Sequence, residues 1–272
     1  MHLPSPEFHA RYGSVALVAG GSEGLGAELA RGLAARGLDL VLAARRPEPL
    51  RALGAELAQA HGVSVRSVAA DLAEPDGVAA VVAATEGLEL GLVVCNAALA
   101  PVGPFLAEPV ARHERVLALN CRAPAMLIHA LAPRLVARGR GGVVVCSSLA
   151  GQQGTALVAH YAATKAYLRV LAEGLWQELR PHGVDVLACC PGPVETPTFR
   201  RDEPSAAGWL SLPPMDAAAV AEETLRALGR RPVVVPGLRP ALASALVTRL
   251  LPRRLAIALA SAGTRAMYAR RT

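Results

Sequence analysis

The sequence predicts an α/β fold, a doubly wound sheet of about seven parallel strands with helices on both faces. Short runs rich in β-branched apolar residues alternate with Ala- and Leu-rich stretches that have helical periodicity. The strand-like runs are mostly continuous in their apolar character, which is typical of strands buried on both faces. No internal repeat or low-complexity linker interrupts the alternation. These three observations favour a parallel sheet that is covered by helices on each side.

The elements follow one another along the chain in this alternating order. The first strand is predicted from SVALVAG and the second from LDLVLAA, with the helical stretch GAELARGLAARG between them. The predicted strands lie at 14–20, 38–44, 63–69, 91–95, 141–148, 184–190 and 232–236. The predicted helices lie at 26–37, 75–86, 108–138, 156–180 and 216–229.

Length and composition indicate a globular protein with one main domain. The chain has 272 residues, of which 53% are hydrophobic and 18% are charged, so it is too apolar to be disordered. We expect a single domain over residues 1–236, with a proline-containing loop at 193–214 as a candidate lid over a substrate. Residues 237–272 are predicted to form an Arg-rich helical C-terminal extension that packs on the same domain.

Composition also argues against several classes of partner and site. The net charge is +6, but aromatic residues make up only 3% and no nucleic-acid-binding motif occurs, so we expect no nucleic acid partner. The five cysteines lack C-x-x-C spacing and a nearby His pair, which indicates neither a metal site nor a disulfide framework. No basic segment followed by an apolar run is seen at the N-terminus, so we expect a cytoplasmic protein.

A glycine-rich turn, AGGSEGLG, lies between the first predicted strand and the first predicted helix. Gly20, Gly24 and Gly26 have the spacing G-x-x-x-G-x-G. Such a turn lets the backbone approach a pyrophosphate at the helix N-terminus, where free N–H groups favour negative charge. The spacing differs from the G-x-G-x-x-G fingerprint, and simple tight packing of the turn is the alternative explanation.

Two arginines, Arg45 and Arg46, end the second predicted strand. An acidic residue at this place would bind the ribose 2′-hydroxyl of NAD, whereas arginine accommodates the 2′-phosphate of NADP. The sequence therefore favours NADP, with NAD as the weaker alternative. A solvated charged loop is the other explanation for either arginine, and Glu23 in the glycine turn would repel a 2′-phosphate.

Lys165, four residues after Tyr161, is the only lysine of the chain. The other 27 Lys or Arg residues are all arginines. Residues four apart on a helix lie on one face, so the ammonium would stand beside the phenol and favour its ionised form. A tyrosine in this setting can act as an acid and a base. By itself, the Tyr-x3-Lys spacing could also be a pair on a helix surface.

These motifs and their order resemble the short-chain dehydrogenase/reductase family over residues 13–236. The segments that carry the resemblance are the glycine turn, AADL around Asp71, CNAA at 95–98, LNCRAP around Asn120, SSLAG around Ser148, the pair Tyr161 and Lys165, and PGPVET at 191–196. The only two asparagines of the chain, Asn96 and Asn120, both fall on these segments. Ala19, Cys95 and Ala98 depart from the family pattern, which usually has Thr, Asn and Gly there.

The resemblance implies a Rossmann-like fold and direct hydride transfer between the nicotinamide of NADP(H) and a carbonyl carbon. Ser148 would hydrogen-bond the carbonyl oxygen, Tyr161 would give it a proton, and Lys165 would assist the tyrosine and hold the nicotinamide ribose. Asn120 would hold a water relay. The residues expected to bind the cofactor are Gly20, Ser22, Gly24, Leu25, Gly26, Arg45, Arg46, Asp71, Leu72, Asn96, Ala97, Tyr161, Lys165, Pro191, Gly192, Val194 and Thr196.

Two other classes of function are weighed against this one. A catalytically silent NADP-binding sensor would keep the glycines but would not need Ser148, Tyr161 and Lys165 together. A serine hydrolase that used Ser148 and His160 would need a G-x-S-x-G elbow, which is missing. Because the stretches 151–160 and 193–214 carry few charges, the favoured substrate is a lipophilic ketone, aldehyde or secondary alcohol.

Two further expectations concern assembly and the tail. The helices at 108–138 and 156–180 resemble those that pair between family subunits, with Ala162, Ala163 and Ala166 permitting close approach, so we expect a homodimer or homotetramer. The apolar runs of the tail are too short to cross a bilayer. We favour packing of residues 238–272 over the pocket or over a neighbouring subunit. The alternative is that this segment lies on anionic lipid at the membrane interface, as in a peripheral-membrane acyl or steroid-type carbonyl reductase.

Overall fold

The chain forms a sheet in which all neighbouring strands are parallel. The computed structural model describes residues 6–201 and 213–268. Within these ranges the strands are β1 (Val15–Ala19), β2 (Asp39–Ala44), β3 (Val65–Ala69), β4 (Leu90–Cys95), β5 (Gly141–Cys146), β6 (Val184–Cys189) and β7 (Val233–Val234). Their order across the sheet is β3-β2-β1-β4-β5-β6-β7. The predicted doubly wound parallel sheet of about seven strands is confirmed.

Helices connect the strands and cover both faces of the sheet. The helices are α1 (Pro6–Tyr12), α2 (Gly24–Ala34), α3 (Pro47–His61), α4 (Pro75–Ala83), α5 (Val110–Leu117), α6 (Ala123–Ala137), α7 (Ala159–Leu179), α8 (Pro197–Arg201), α9 (Ala217–Ala227), α10 (Leu238–Arg249) and α11 (Arg253–Met267). Between α5 and α6 the chain makes one π-helical turn, Ala118–Arg122. The single helix predicted at 108–138 is therefore one continuous helical stretch over 110–137 that widens into a π-helical turn around Asn120.

Each face of the sheet has its own apolar core because side chains alternate along a strand. On one face, Ala16 and Val18 of β1 pack with side chains of α2, α3 and α9. On the other, Val15 and Leu17 pack with side chains of α4, α6 and α7. The edge strand β3 is the exception to burial on both faces, since each of its five residues is half-buried or exposed.

Helix α3 was not among the sequence predictions, although its signals are present. It begins with Pro47 in its first turn, buries Leu50, Leu53 and Leu57 at helical spacing, and ends at Gly62, whose φ is +69°. Proline at the start and glycine just past the end are typical helix boundaries. Only Arg45 and Arg46 separate β2 from α3, so the charged loop that was the alternative explanation for these arginines is no longer than two residues.

One helical stretch, residues 110–137, is long and apolar enough to span a membrane by length and composition alone. Of its most apolar window, 44% is buried inside the molecule, and α6 packs directly against β4 and β5. Core helices of globular domains pass the same test. Here the buried residues of the helical stretch are those that pack against the sheet.

The end of the chain forms a helical hairpin, α10 followed by α11, that rests on the segment after β5. Ser261 Oγ accepts a hydrogen bond from the Ala156 N–H at 3.1 Å, and Arg253 Nη1 donates to the Gln152 carbonyl at 3.1 Å. Of the predicted loop at 193–214, residues 197–201 form α8, and residues 202–212 lie outside the described part. The division into 1–236 and 237–272 stays a prediction.

Candidate active site

A cleft of about 490 Å³ opens at the carboxyl ends of the strands, where the loops after β1 to β6 converge. The strand order reverses between β1 and β4, and ligands of doubly wound sheets bind at such a switch point. Of the predicted site residues, those that line the cleft are Gly20, Ser22, Gly24, Leu25, Arg45, Asp71, Leu72, Asn96, Ala97, Ser148, Tyr161, Lys165, Pro191, Gly192, Val194 and Thr196. Gly26, Arg46 and Asn120 are not part of its wall.

The glycine turn brings α2 very close to the end of β4. Gly20 has a φ of +88°, in the region that favours glycine, and its carbonyl accepts a hydrogen bond from Asn96 Nδ2 at 2.9 Å. A Cβ on Gly26 would lie 1.9 Å from the Gly20 oxygen and 2.5 Å from Asn96 Nδ2. Gly26 therefore does not contact the cleft, but its lack of a side chain allows α2 to approach the glycine turn.

The N-terminus of α2 has the features of an anion-binding site. Glu23 at its N-cap position makes no side-chain capping hydrogen bond, so the first N–H groups of the helix are not used by that side chain. Gly24, which starts the helix, has a φ of +56° and lines the cleft. Free N–H groups and the helix dipole favour a phosphate at such a terminus. The residues present therefore fit a dinucleotide pyrophosphate.

The charges at the end of β2 are arranged differently from what the sequence suggests. Arg45 lines the cleft, but Arg46 pairs with Glu23 at 2.6 Å and Arg201 pairs with the same carboxylate at 2.7 Å. Burial alone would raise the pKa of Glu23, and the hydrogen bonds from Arg46 and Arg201 lower it. Glu23 is thus a compensated charge, and the predicted repulsion of a 2′-phosphate by Glu23 is offset by two guanidinium groups.

Asp71 is held by Arg115, a residue that sequence reasoning missed. Arg115 of α5 donates to Asp71 Oδ2, and the Ala73 N–H donates to Asp71 Oδ1 at 3.0 Å. Burial would raise the pKa of Asp71, but the hydrogen bonds from Ala73 and Arg115 lower it. Both side chains line the cleft. Nothing in the spacing of these residues, 44 positions apart, could have indicated the pair.

Lys165 is buried between α7 and the end of β5, with only 3% of its surface exposed. Its Nζ donates to the Cys146 carbonyl at 2.7 Å and lies 5.5 Å from the centroid of the Tyr161 ring. Ser147 Oγ donates to the Lys165 carbonyl at 2.6 Å and fixes the helix backbone at this point. The ammonium has three N–H donors, and one of them is used by Cys146.

Ser148 immediately precedes the short 3₁₀ turn Leu149–Gln152 and lines the same cleft as Tyr161 and Lys165. Its Oγ accepts a hydrogen bond from the Ala150 N–H at 3.2 Å. Because the hydroxyl oxygen serves there as the acceptor, its hydrogen is available to donate to a substrate oxygen. The structure thus brings Ser148, Tyr161 and Lys165 to one cleft, as the sequence predicts.

Asn120 lies in the π-helical turn and is fully buried. Its Oδ1 accepts from the Leu99 N–H at 2.8 Å, and its Nδ2 donates to the Leu99 carbonyl at 2.8 Å and to Thr164 Oγ1 at 3.0 Å. The carboxamide therefore fixes the loop after β4 to α7, behind the cleft wall. The water relay expected at Asn120 stays a prediction.

His160, the residue before Tyr161, forms a pair with His113 of α5. Their Nδ1 atoms are 2.7 Å apart, and His113 Nε2 contacts the Phe105 carbonyl at 3.0 Å. Burial and the neighbouring His113 lower the pKa of His160. In the part of the chain that the structure describes, no hydrogen bond joins His160 to Ser148, and this arrangement counts against a Ser-His hydrolase.

Comparison with known proteins places this geometry in a family context. The family described as short chain dehydrogenase matches residues 14–206. A 7beta-hydroxysteroid dehydrogenase of Clostridium sardiniense is 32% identical over 198 residues, which cover 73% of this chain and 76% of the relative.

Two solved structures share the fold over nearly their whole length. One comes from work on 7beta-hydroxysteroid dehydrogenase stereoselectivity; it has a TM-score of 0.85 and 26% identity, and the match covers 92% of this chain and 98% of the other. The second is a short-chain dehydrogenase from Sphingobium yanoikuyae in complex with NADPH, with a TM-score of 0.75, 32% identity, and coverage of 89% and 99%.

Proposed function

We propose a specific reaction for this chain, which belongs to the short-chain dehydrogenase/reductase family of NAD(P)-dependent oxidoreductases. The reaction is hydride transfer between NADP(H) and a lipophilic carbonyl compound or secondary alcohol. The observation that carries the proposal is the meeting of Ser148, Tyr161 and buried Lys165 in the cleft that the glycine turn also lines. A nucleotide sensor would need the glycine turn alone, so the joint presence of these three side chains favours an enzyme.

The cleft has a place for each part of the cofactor. The N-terminus of α2 would hold the pyrophosphate. Asp71 and Leu72 would contact the adenine, and Arg45, which lines the same cleft, would bind a 2′-phosphate. Lys165 and Asn96, which also line the cleft, would lie beside the nicotinamide ribose. Bound in this way, the nicotinamide ring supplies a hydride to the reacting carbon or takes one from it.

The chain's own groups handle the oxygen and its proton. In the direction of reduction, Ser148 donates a hydrogen bond to the carbonyl oxygen and polarises the carbon. Tyr161 then transfers its phenolic proton to that oxygen, and the nearby Lys165 ammonium stabilises the negative charge left on the phenol. In the direction of oxidation the same groups work in reverse, with the phenolate accepting the alcohol proton.

The substrate end of the cleft supports a lipophilic ligand. It is lined by Leu99, Val102, Leu149, Val158 and Phe199, and α11 adds Met267. No Asp, Glu, Lys or Arg from the described 149–160 segment stands among the cleft residues. The relative named 7beta-hydroxysteroid dehydrogenase and a solved alcohol dehydrogenase described as bulky-bulky ketone specific are in keeping with this lining. We therefore favour bulky ketones, aldehydes or secondary alcohols over sugar phosphates.

A cofactor assay separates the proposed oxidoreductase from its rivals. Loss of NADPH absorbance is followed with a panel of bulky ketones and aldehydes, and the reverse reaction is followed with the matching alcohols and NADP⁺. Ester cleavage is measured in parallel without any cofactor. We expect turnover only with the nicotinamide cofactor. Tight NADPH binding without turnover of any panel member would favour the sensor, and cofactor-independent ester cleavage would favour the hydrolase.

Replacing Arg45 and Arg46 by alanine is expected to abolish a preference for NADPH over NADH. Charge-assisted hydrogen bonds to a phosphate are worth roughly 1.5–3 kcal/mol, which corresponds to about a tenfold to hundredfold change in affinity. Arg45→Ala alone should cause the larger share, because Arg46 is already paired with Glu23. Dissociation constants for both cofactors measure the effect, with exposed Arg51→Ala of α3 as the control. Equal affinities in the unmodified protein would contradict the proposal.

The protein is expected to be a symmetric dimer or tetramer that buries the outer faces of α6 and α7. Met126 of α6 and Tyr167 and Val170 of α7 are exposed in the single subunit. Of the alanines predicted to line this contact, Ala163 is exposed, but Ala162 is buried inside the subunit and cannot contribute. Ala162 was thus assigned to the wrong face of the helix.

Sedimentation equilibrium at micromolar concentration tests this assembly. Val170→Arg should shift the protein towards monomer, because a charge would enter an apolar contact. Ala55→Arg, at an exposed position of α3, should leave the assembly unchanged. A monomeric unmodified protein would refute the expectation.

A further inference from the structure

We propose that the C-terminal hairpin, α10 with α11, is a docking surface for an anionic lipid membrane. The proposal rests on three features of the described residues: a stripe of exposed leucines, a local excess of arginine, and the place of the hairpin beside the cleft. Each of these is a property of the subunit itself.

The leucine stripe runs along α10. Leu238, Leu242, Leu246 and Leu250 follow one another at intervals of four and are 75%, 61%, 53% and 72% exposed. Residues four apart lie on one side of a helix, so these side chains form a continuous apolar strip. On α11, Leu255 and Leu259 repeat the same spacing and are also exposed. Nothing in the described part of the subunit covers this strip.

The basic charge of the protein is concentrated at the same end. All 22 acidic residues lie at or before Glu223, together with 18 of the 28 basic ones, so residues 1–223 carry a net −4. Residues 224–272 carry ten arginines and no acid. Arg239, Arg254 and Arg265 of the hairpin have no ion-pair partner among the described residues. A positive surface of this kind attracts anionic lipid headgroups.

Charge decides between a membrane and a second copy of the chain. Two copies joined through this hairpin would bring two arginine-rich surfaces together, with no acid from either hairpin to neutralise them. An anionic membrane supplies both an apolar layer for the leucines and negative headgroups for the arginines. With 12 residues, α10 is about 18 Å long, so it suits a position in the plane of the interface rather than across the bilayer.

The hairpin also connects this surface to the cleft. Its α11 is tied to the segment after Ser148 through Ser261 and Arg253, and Thr264 and Met267 near its end line the cleft. Docking would therefore place the cleft mouth at the membrane, where lipophilic substrates accumulate. This last step alone rests on the proposed function; the docking itself does not.

Flotation of the full-length protein with vesicles tests the proposal. We expect binding to phosphatidylcholine vesicles that contain phosphatidylserine, little binding to phosphatidylcholine alone, and release at high salt. Leu242→Ser with Leu246→Ser should reduce the partition coefficient at least about tenfold, because burial of exposed leucines is lost. Arg254→Gln and Arg265→Gln should each reduce it about fivefold.

Matched substitutions elsewhere give the controls. Leu106→Ser with Val110→Ser removes two apolar side chains that are more exposed than Leu242 and Leu246 but lie far from the hairpin in sequence, and it should leave binding unchanged. Failure of the unmodified protein to bind, or equal losses from both leucine pairs, would overturn the proposal. If the Leu242 and Leu246 variant instead lowers the oligomeric state, the strip is a subunit contact. Turnover of NADPH with a soluble ketone is measured separately. A failure of the proposed enzyme activity can therefore be distinguished from a failure of membrane docking.

Discussion

Lys165→Arg is expected to lower NADPH-dependent turnover at least about 100-fold, which is the lower range for losing acid–base assistance, although the substitution keeps the charge. The ammonium is buried, donates to the Cys146 carbonyl at 2.7 Å, and lies 5.5 Å from the Tyr161 ring centroid. A guanidinium is larger and planar, and it cannot occupy this point between the end of β5 and α7 as a compact charge. The defect should therefore appear in kcat, since it weakens the proton transfer from Tyr161.

Three measurements separate a chemical defect from a structural one. Circular dichroism should show an unchanged fold, thermal unfolding should show a similar midpoint, and kcat should fall. Arg180→Lys, just after α7, makes the reverse exchange outside the cleft and should leave turnover unchanged. If Lys165→Arg does not fold, Lys165→Met, which is nearer to lysine in volume but neutral, tests instead whether turnover needs the ammonium, and kcat should again fall at least about 100-fold. Near-normal turnover of a folded Lys165→Arg would show that the assigned role is wrong.

The parts of the site that could be predicted are those in which short spacings in sequence determine spacing in space. Tyr161 and Lys165 share one helix, so four residues bring them to one face. The glycine turn joins β1 to α2 directly. Parallel strands end at one edge of the sheet, which is why residues after β4 and β5, such as Asn96 and Ser148, could be expected in the same cleft.

The parts that could not be predicted depend on contacts between distant segments. Arg115 reaches Asp71 from 44 residues away, and Arg201 reaches Glu23 from 178 residues away. The partners of the Asn120 carboxamide, Leu99 and Thr164, also come from distant segments and were not indicated by the sequence, whereas the water relay expected at Asn120 stays a prediction. A residue type can thus be placed on the correct segment while its orientation is decided by tertiary contacts.

Arg46 shows the same limit for the cofactor. A pair of adjacent arginines at the end of a strand predicts positive charge there, but neighbouring side chains in extended backbone point in opposite directions. Arg45 lines the cleft, and Arg46 pairs with Glu23. We therefore expect a preference for NADPH to depend more on Arg45 than on Arg46.

Gly26→Ala is expected to destabilise the fold and to weaken NADPH binding at least about tenfold, because α2 and the glycine turn must move apart. In a helix, alanine in place of glycine would by itself raise the free energy of unfolding by about 1 kcal/mol. Here the new Cβ would lie 1.9 Å from the Gly20 oxygen and 2.5 Å from Asn96 Nδ2, and overpacking of this kind costs about 1–3 kcal/mol. The clash should therefore outweigh the gain in helix propensity.

The displacement would act on binding because Gly20 and Gly24 themselves line the cleft. Gly174→Ala in α7 is the matched control, since nothing lies within 4 Å of its added Cβ, and it should stabilise the protein by roughly 0.5–1 kcal/mol. Denaturant unfolding without cofactor and fluorescence titration with NADPH measure the two effects. Two results together would contradict this prediction: Gly26→Ala stabilises the protein as Gly174→Ala does, and its affinity for NADPH is unchanged. They would show that the cofactor site does not require the close approach of α2 to the turn.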